Sequence, residues 1–283
     1  MTEEIAIIAP GAMGSGLAAR LTSRGVRVLT VLVGRSPASQ NRAIQAGMIG
    51  RTWEDIAHCP TILSVVPPSE AVGQAKHLAA VIAKTKSQPL YIDLNATSPQ
   101  TSQMIDAIMT EVGARYVDGS IMGNPPAPDY GGPFLYVCGP HAESAMALAQ
   151  FGLNITKLET ANGSASALKM AFGGIMKGLT ALGAGMLLAA SRTGADNVLL
   201  DELRRSQPDL ASWFERQIPR MYPKTYRWVG EMQEIAGFLG PGDPMSTAFV
   251  NISDFFEQLS VSQANGGQAD GLLKHFFPPD QPA

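Results

Sequence analysis

Apolar residues follow two different rhythms along the chain. In its first part, short and nearly unbroken apolar runs recur at residues 5–9, 26–33, 61–66, 90–93 and 115–117. Such runs suit strands covered on both faces. Between them, residues 12–23, 36–46, 70–84 and 99–112 carry helical patterns. Strands alternating with helices of this length predict right-handed crossovers and a mostly parallel, doubly wound sheet. Residues 134–138 and 154–158 read as two strands that extend it. After about residue 160 no alternating strand pattern remains, and the chain becomes helical. The expected architecture is an α/β domain over residues 1–160 and a smaller all-α domain over residues 161–283.

Between Thr160 and Ser191 the only charged residues are Lys169 and Lys177. A helix so apolar all round is expected to be buried on nearly every side. Gly174, Gly178, Ala181, Gly185 and Ala189 give it small residues at helical spacing, where a second helix can approach closely. We read it as a buried helix in the core of a homodimer. Further helices are predicted at 196–206, 208–218, 223–238 and 244–265, with Pro208, Pro223 and Pro244 in their first turns. The chain after Gly266 reads as a frayed tail.

Composition narrows the class. Of the 283 residues 45% are apolar and 16% charged, against about 25% charged in an average protein. A large core follows, and a disordered or fibrous chain is excluded. The formal net charge of −3 offers no basic field for nucleic acid or an anionic membrane. Cys59 and Cys138 stand far apart, with no metal-ligand spacing, and read as reduced thiols. No metal site is expected. No apolar run is read as approaching the roughly 18–20 residues of a membrane span. The acidic start, Thr2-Glu3-Glu4, is unlike a signal peptide. A cytoplasmic protein is the expectation.

The first candidate chemistry follows the first strand. Ala9-Pro10-Gly11-Ala12-Met13-Gly14 opens the first helix, and a dinucleotide pyrophosphate needs a tight turn there, backbone close enough to touch, and free helix N–H groups. Gly11 and Gly14 stand at the second and third glycines of G-x-G-x-x-G, and Ala9 replaces the first. At the end of the second strand, Val33-Gly34-Arg35-Ser36 lacks the acid that would hold a ribose 2′-hydroxyl. Arg35 instead suits a 2′-phosphate, with Ser36 adding a hydroxyl and Arg42 further charge. NADP is therefore expected over NAD.

These segments resemble the 6-phosphogluconate dehydrogenase and β-hydroxyacid dehydrogenase superfamily, over most of the chain. Gly11-Ala12-Met13-Gly14 is similar to its G-x-M-G turn, and Val65-Val66-Pro67-Pro68 to its loop over the adenosine side of the cofactor. Asp93-Leu94-Asn95-Ala96-Thr97-Ser98-Pro99 resembles the D-x-S-T-x-S-P segment near the nicotinamide. Asp118-Gly119-Ser120-Ile121-Met122-Gly123-Asn124 resembles the D-A-P-V-S-G-G substrate loop. Lys169 falls where the catalytic lysine of the superfamily belongs. A subgroup with a short C-terminal domain matches best, also through Ser166-Ala167-Leu168-Lys169-Met170 and Arg227-Trp228-Val229-Gly230-Glu231-Met232.

The resemblance implies a Rossmann-type domain followed by a helical substrate and dimerisation domain, and hydride transfer between nicotinamide and a small acidic substrate. It places Pro10 to Gly14, Arg35, Ser36, Val66, Pro67 and Asn95 at the cofactor, and Ser120, Met122, Gly123 and Asn124 at the substrate. Three positions depart from the pattern. Gly173 stands where asparagine usually follows the lysine, Asn95 replaces a serine, and Met122 replaces the serine of the substrate loop. Sugar-phosphate activity is therefore not carried over.

Hydride removal from an alcohol requires loss of the hydroxyl proton. A lysine in an apolar helix has its charged form disfavoured, so Lys169 is a general acid/base candidate. The alternative is a lysine whose amine snorkels to solvent, as read for Lys177. Asn95 offers a donor and an acceptor at a strand end, or else starts the turn before the next helix. Six basic residues between Leu203 and Gly230 either attract an acidic substrate or form a solvated face, and Arg227 with Glu231 reads as an i,i+4 pair. His275, near the tail, is set aside. The expected activity is NADP-dependent interconversion of a small hydroxy acid and its keto acid. Imine reduction, left open by Gly173, and an NADPH-binding sensor without turnover are the alternatives.

Overall fold

In the computed structural model the described residues are 3–127 and 130–277. They divide into two compact units, at Met170 and Ala171, ten residues beyond the change of pattern at 160.

The first unit runs β1 (Glu4–Ile8), α1 (Ala12–Thr22), β2 (Arg27–Thr30), α2 (Pro37–Gln45), β3 (Ile49–Gly50), α3 (Trp53–His58), β4 (Thr61–Ser64), α4 (Pro68–Thr85), β5 (Leu90–Asp93), α5 (Pro99–Glu111) and β6 (Arg115–Met122). It continues through β7 (Phe134–Cys138), α6 (Ala142–Met146) and β8 (Asn154–Lys157), and ends in the first turns of α7 (Ser164–Ser191). The eight strands form one sheet in the order β3-β2-β1-β4-β5-β6-β7-β8. All neighbours are parallel except β6 and β7. This is the Rossmann-type α/β architecture expected from the alternation of strands and helices.

The unbroken apolar runs have a direct structural cause. Ile5 and Ile7 join the core layer holding Leu17 and Leu21 of α1. Their neighbours Ala6 and Ile8 join the opposite layer, with Ile56 of α3, Leu78 of α4 and Ile105 of α5. Successive side chains of a strand point to opposite faces. With helices on both faces, both sets of positions are covered, which favours apolar residues at successive positions.

The sheet positions the site through its strand order. β1 lies between β2 and β4, so the chain leaves it in opposite directions in the two halves. Open α/β sheets bind ligands at such a point, outside the carboxyl ends of the strands. The turn after β1 stands at that edge, as do the loop from β2 to Arg35, Val66 after β4, Asn95 after β5 and Met122 ending β6.

The second unit is helical, as expected. It holds the remainder of α7 with α8 (Asp196–Ser206), α9 (Pro208–Met221), α10 (Thr225–Leu239), α11 (Pro244–Ala264) and α12 (Gln268–Phe276). A 3₁₀ turn, Tyr222–Lys224, links α9 and α10, so Pro223 lies in that turn and α10 starts at Thr225. The tail expected after Gly266 is corrected: α12 forms there, with Leu273 buried and Lys274 paired to Asp270 at 2.7 Å. His275 lies on this helix, while residues 278–283 lie outside the described residues.

Within one chain α7 leaves Phe172, Ile175, Leu182 and Met186 51%, 69%, 58% and 55% exposed. Its small residues serve contacts within the chain. A Cβ on Gly174 or Gly178 would sit 3.3 Å from the Phe249 ring of α11, and one on Gly183 would lie 2.3 Å from Phe214 of α9. α7 is also the one helix among the described residues long and apolar enough to cross a membrane. It has 28 residues, with a window of mean hydropathy 1.4 that is 33% buried. This corrects the reading that no stretch approaches a span.

Candidate active site

The turn after β1 has the shape a dinucleotide needs, although Ala9 replaces a glycine. Ala9 adopts φ 72°, a left-handed conformation that is uncommon for a residue with a Cβ. The helix that follows explains why Gly14 must be glycine. A Cβ there would lie 2.2 Å from the Ala9 carbonyl oxygen, whereas one on Gly11 meets nothing within 4 Å. Gly14 thus lets α1 pack against the turn, and Gly11 leaves open space beside the helix start. Among the described residues no side chain caps α1, and its first turn carries no acid. Its leading N–H groups and positive dipole end suit an anion.

The loop after β2 adds positive charge. Arg35 is half-buried, and its guanidinium has no ion pair among the described residues. The Ser36 hydroxyl caps α2, accepting from the Ser39 N–H at 3.3 Å. Arg42 donates to the Pro10 carbonyl at 3.2 Å and to the Ser39 hydroxyl at 2.8 Å. It therefore ties α2 to the turn after β1 through the Pro10 backbone.

Asn95 is buried, and its side chain joins two strand ends. Its Oδ1 accepts from the Val66 N–H at 2.7 Å, and its Nδ2 donates to the Ser64 hydroxyl at 3.1 Å. Its own N–H donates to Asp93 Oδ1 at 3.0 Å. These contacts hold the loop of Val66 and Pro67 against β5. Pro67 itself is exposed at the start of α4.

At the end of β6, Ser120 is fully buried and its hydroxyl has no partner among the described residues. Met122 is half-buried, and Gly123 and Asn124 are exposed. Gly123 has φ 124°, and a Cβ there would meet the Tyr130 hydroxyl at 2.5 Å, so only glycine fits this bend. Lys169 donates from Nζ to the Ile121 carbonyl at 2.6 Å. The lysine is half-buried, with its amine on the strand that ends in the predicted substrate loop. Lys177 does not snorkel as expected: it forms a buried ion pair with Glu231 and lies 5.7 Å over the Trp228 ring. Arg227 joins the same carboxylate at 3.7 Å, as the i,i+4 spacing predicts.

What sequence reasoning missed is the buried polar chain that anchors the lysine helix. Asp118, in the middle of β6, is fully buried. It accepts from the backbone N–H groups of Gly163, Ala165 and Ser166 at 2.9, 3.0 and 3.2 Å. The hydroxyls of Ser166 and Ser102 donate to it at 2.6 and 3.0 Å, and the Cys138 thiol at 3.1 Å. A carboxylate facing a helix start satisfies donors the helix cannot satisfy itself. β6 therefore fixes α7 at two places, Asp118 at its start and Ile121 at Lys169. The available signal was an acid directly after the apolar run of β6, which must find donors once buried.

The chain continues from Ser102 to Tyr116 at 2.8 Å, and from Tyr116 to Asp93 at 3.3 Å. In the last of these contacts the Tyr116 hydroxyl donates to Asp93 Oδ2. Burial, with the nearby Asp118 charge adding to it, pushes the Asp93 carboxyl up to about 7. The folded state therefore binds a proton at Asp93 more tightly than the unfolded chain does between about pH 4 and 7. Its contribution to stability is full below that window and is lost as pH rises through 7. We expect Asp93→Asn to gain stability relative to wild type across that range, by ~4 kcal/mol at most. Urea unfolding at pH 4.5 and 8, values chosen to bracket roughly this window, checks it, and parallel pH curves for the two proteins would contradict it.

The sheet order and the glycine-dependent turn at its switch point are those of a nicotinamide-dependent oxidoreductase. Comparison with known proteins gives the family. Residues 4–154 match the NAD binding domain of 6-phosphogluconate dehydrogenase, and residues 190–259 match a domain of unknown function, DUF1932. The chain belongs to the first of these families. It is 30% identical to a conserved protein of unknown function with structural similarity to 3-hydroxyacid dehydrogenases, with a TM-score of 0.67 over 92% of this chain and 99% of that one. An uncharacterised 28.5 kDa protein of Methanothermus fervidus is 27% identical over 185 residues, 64% of this chain and 69% of that protein. A 3-hydroxyisobutyrate dehydrogenase of Mycobacterium tuberculosis, 14% identical, shares the fold with a TM-score of 0.71 over 98% of this chain and 99% of the other.

Proposed function

We propose that this protein is an NADP-dependent oxidoreductase that interconverts a small hydroxy acid and its keto acid, with Lys169 as general acid/base. The observation that carries the lysine assignment is its placement: Nζ on the Ile121 carbonyl, near the carboxyl end of β6. The cofactor, when bound, supplies hydride acceptance or donation, and the residues present fit it. The open space at Gly11, the uncapped start of α1 and the Arg35 guanidinium take its phosphates. During oxidation Lys169 receives the proton of the substrate hydroxyl while the carbonyl forms. During reduction it returns that proton to the oxygen. Two anchors, Asp118 and Ile121, hold the amine in place, which is what proton transfer over hydrogen-bond distance demands.

Imine reduction is the second reading, favoured by one observation. Four residues after Lys169, where a side chain would share its helix face, Gly173 leaves room: a Cβ there would first meet the Lys177 amine at 3.4 Å. Consumption of NADPH with a panel of 2-keto acids, ketones and cyclic imines separates the readings. Turnover of keto acids supports the first, turnover of imines alone the second. Tight NADPH binding with no turnover of any member would leave a sensor.

We also infer a homodimer through the second domain, made by the exposed α7 row of Phe172, Ile175, Leu182 and Met186. Burying such a row is favourable by about 25 cal/mol per Å² of apolar surface. Light scattering is expected to return the mass of two chains, and the mass of one would overturn this.

A further inference from the structure

We propose that a pocket in the helical unit, centred on Lys224, is a binding site for a phosphate-bearing ligand. It is a cavity of about 500 Å³ lined by Pro219, Arg220, Tyr222, Lys224, Gln263 and Lys274. The residues come from the end of α9, the 3₁₀ turn, α11 and α12. None belongs to the dinucleotide turn or to the strand ends described above, so the inference does not rest on the proposed reaction.

The structure sorts the basic residues that the sequence left ambiguous. Arg204 pairs with Asp201 and Glu215, and Arg205 with Glu202, all on exposed helix surface. Those two form the solvated face. Lys224 differs. It is half-buried, and its amine has no hydrogen bond or ion pair among the described residues. Burial, then the charges of Arg227 and Arg220, hold its pKa below the ordinary lysine value, with Lys177 acting in the same sense and Glu231 alone opposing. An ammonium partly stripped of water and crowded by other cations is stabilised by an entering anion.

The pocket also supplies order and basic charge. Asp270 holds Lys274 at 2.7 Å, and the Lys274 amine lies 5.6 Å over the Tyr222 ring. Gln263 is fixed by the Thr225 hydroxyl, which donates to its Oε1 at 2.8 Å. α10 starts at this rim with no acid in its first turn, so its positive dipole end adds to the field. Around Lys224 stand the Arg220 guanidinium and the ion-paired cations Arg227, Lys177 and Lys274, a basic surround that suits a dianionic phosphate better than a single carboxylate.

The test is calorimetric titration of the full chain with inorganic phosphate and, separately, oxalate, at constant ionic strength. Wild type is expected to bind phosphate saturably at low-millimolar concentration and more tightly than oxalate. Loss of one charge-assisted contact in Lys224→Gln should weaken phosphate about tenfold, and Lys274→Gln should weaken it less. NADPH affinity in both should match wild type. Arg35→Ala should bind phosphate unchanged, because that residue belongs to the dinucleotide domain. Thermal unfolding checks each variant, and if Lys224→Gln does not fold, Lys274→Gln carries the comparison. The proposal is overturned if wild type shows no saturable phosphate binding, if folded lysine variants bind like wild type, or if Arg35→Ala abolishes binding. Tighter binding of oxalate would overturn the ligand class. Failure of wild type to bind NADPH would instead count against the proposed oxidoreductase and leave this result standing.

Discussion

Gly14→Ala is expected to abolish dinucleotide binding. Its Cβ would lie 2.2 Å from the Ala9 carbonyl oxygen, and that atom is backbone, so no side chain can rotate away. Ala9 already sits at φ 72° and has little freedom to absorb a shift. Either α1 moves off the turn or the turn opens, and each removes the N–H groups from the phosphate position. Overpacking at such a contact costs roughly 1–3 kcal/mol, so a lower melting temperature should accompany the loss. Gly11→Ala is the control. Its Cβ has open space, so stability should stay near wild type while the methyl group obstructs the approach of a pyrophosphate. Nucleotide fluorescence and thermal unfolding of both variants check this. Gly14→Ala binding NADPH like wild type would contradict it.

Lys169→Ala should lower turnover by roughly 10²–10⁴-fold, the usual contribution of a positioned acid or base. NADPH affinity should hardly change, because the amine is anchored to the Ile121 carbonyl and not to the dinucleotide turn. Lys169→Arg separates proton transfer from charge. A guanidinium keeps the charge but does not release its proton in the working range, so the arginine variant should remain nearly as slow as alanine. Stopped-flow NADPH oxidation, with the best substrate from the panel, measures both. Equal rates for wild type and Lys169→Ala would remove the lysine from the mechanism.

The sequence exposed those parts of the molecule where one face or one rhythm decides the outcome. β5 and β7 form over 90–93 and 134–138 as the apolar runs predict, and Pro99 starts α5 as expected. Strand β3 escaped because its pairing covers only Ile49 and Gly50, too short for any period to show. Strand β6 was read as ending at Val117 because Asp118, Gly119 and Ser120 break the apolar run. The strand continues to Met122 because donors from α5 and α7 satisfy Asp118. Those donors lie 16 and 48 residues away in the chain, a separation that local patterning cannot register. The same limit hid Asp93, Tyr116 and Ser102.

At the candidate site, residue types were legible and their engagements were not. Asn95 and Arg42 stand at the expected edge of the sheet, yet their hydrogen bonds run to Val66 and Pro10. Lys177 shows the same gap, since its partner Glu231 lies 54 residues further on. Helix α12 was missed because a tail rich in glycine and proline reads as coil. Asp270 and Lys274, four residues apart, were the available helical signal.

The measurement that bears most directly on the account is the affinity of the wild-type protein for NADPH and NADH, with Arg35→Ala beside it. The Arg35 guanidinium lacks an ion pair among the described residues and stands where an NAD site would carry an acid. NADPH should bind about tenfold or more tightly than NADH, and Arg35→Ala should erase that difference while leaving NADH unchanged. If neither nucleotide binds, Ala9 has disabled the turn and the oxidoreductase reading falls with it.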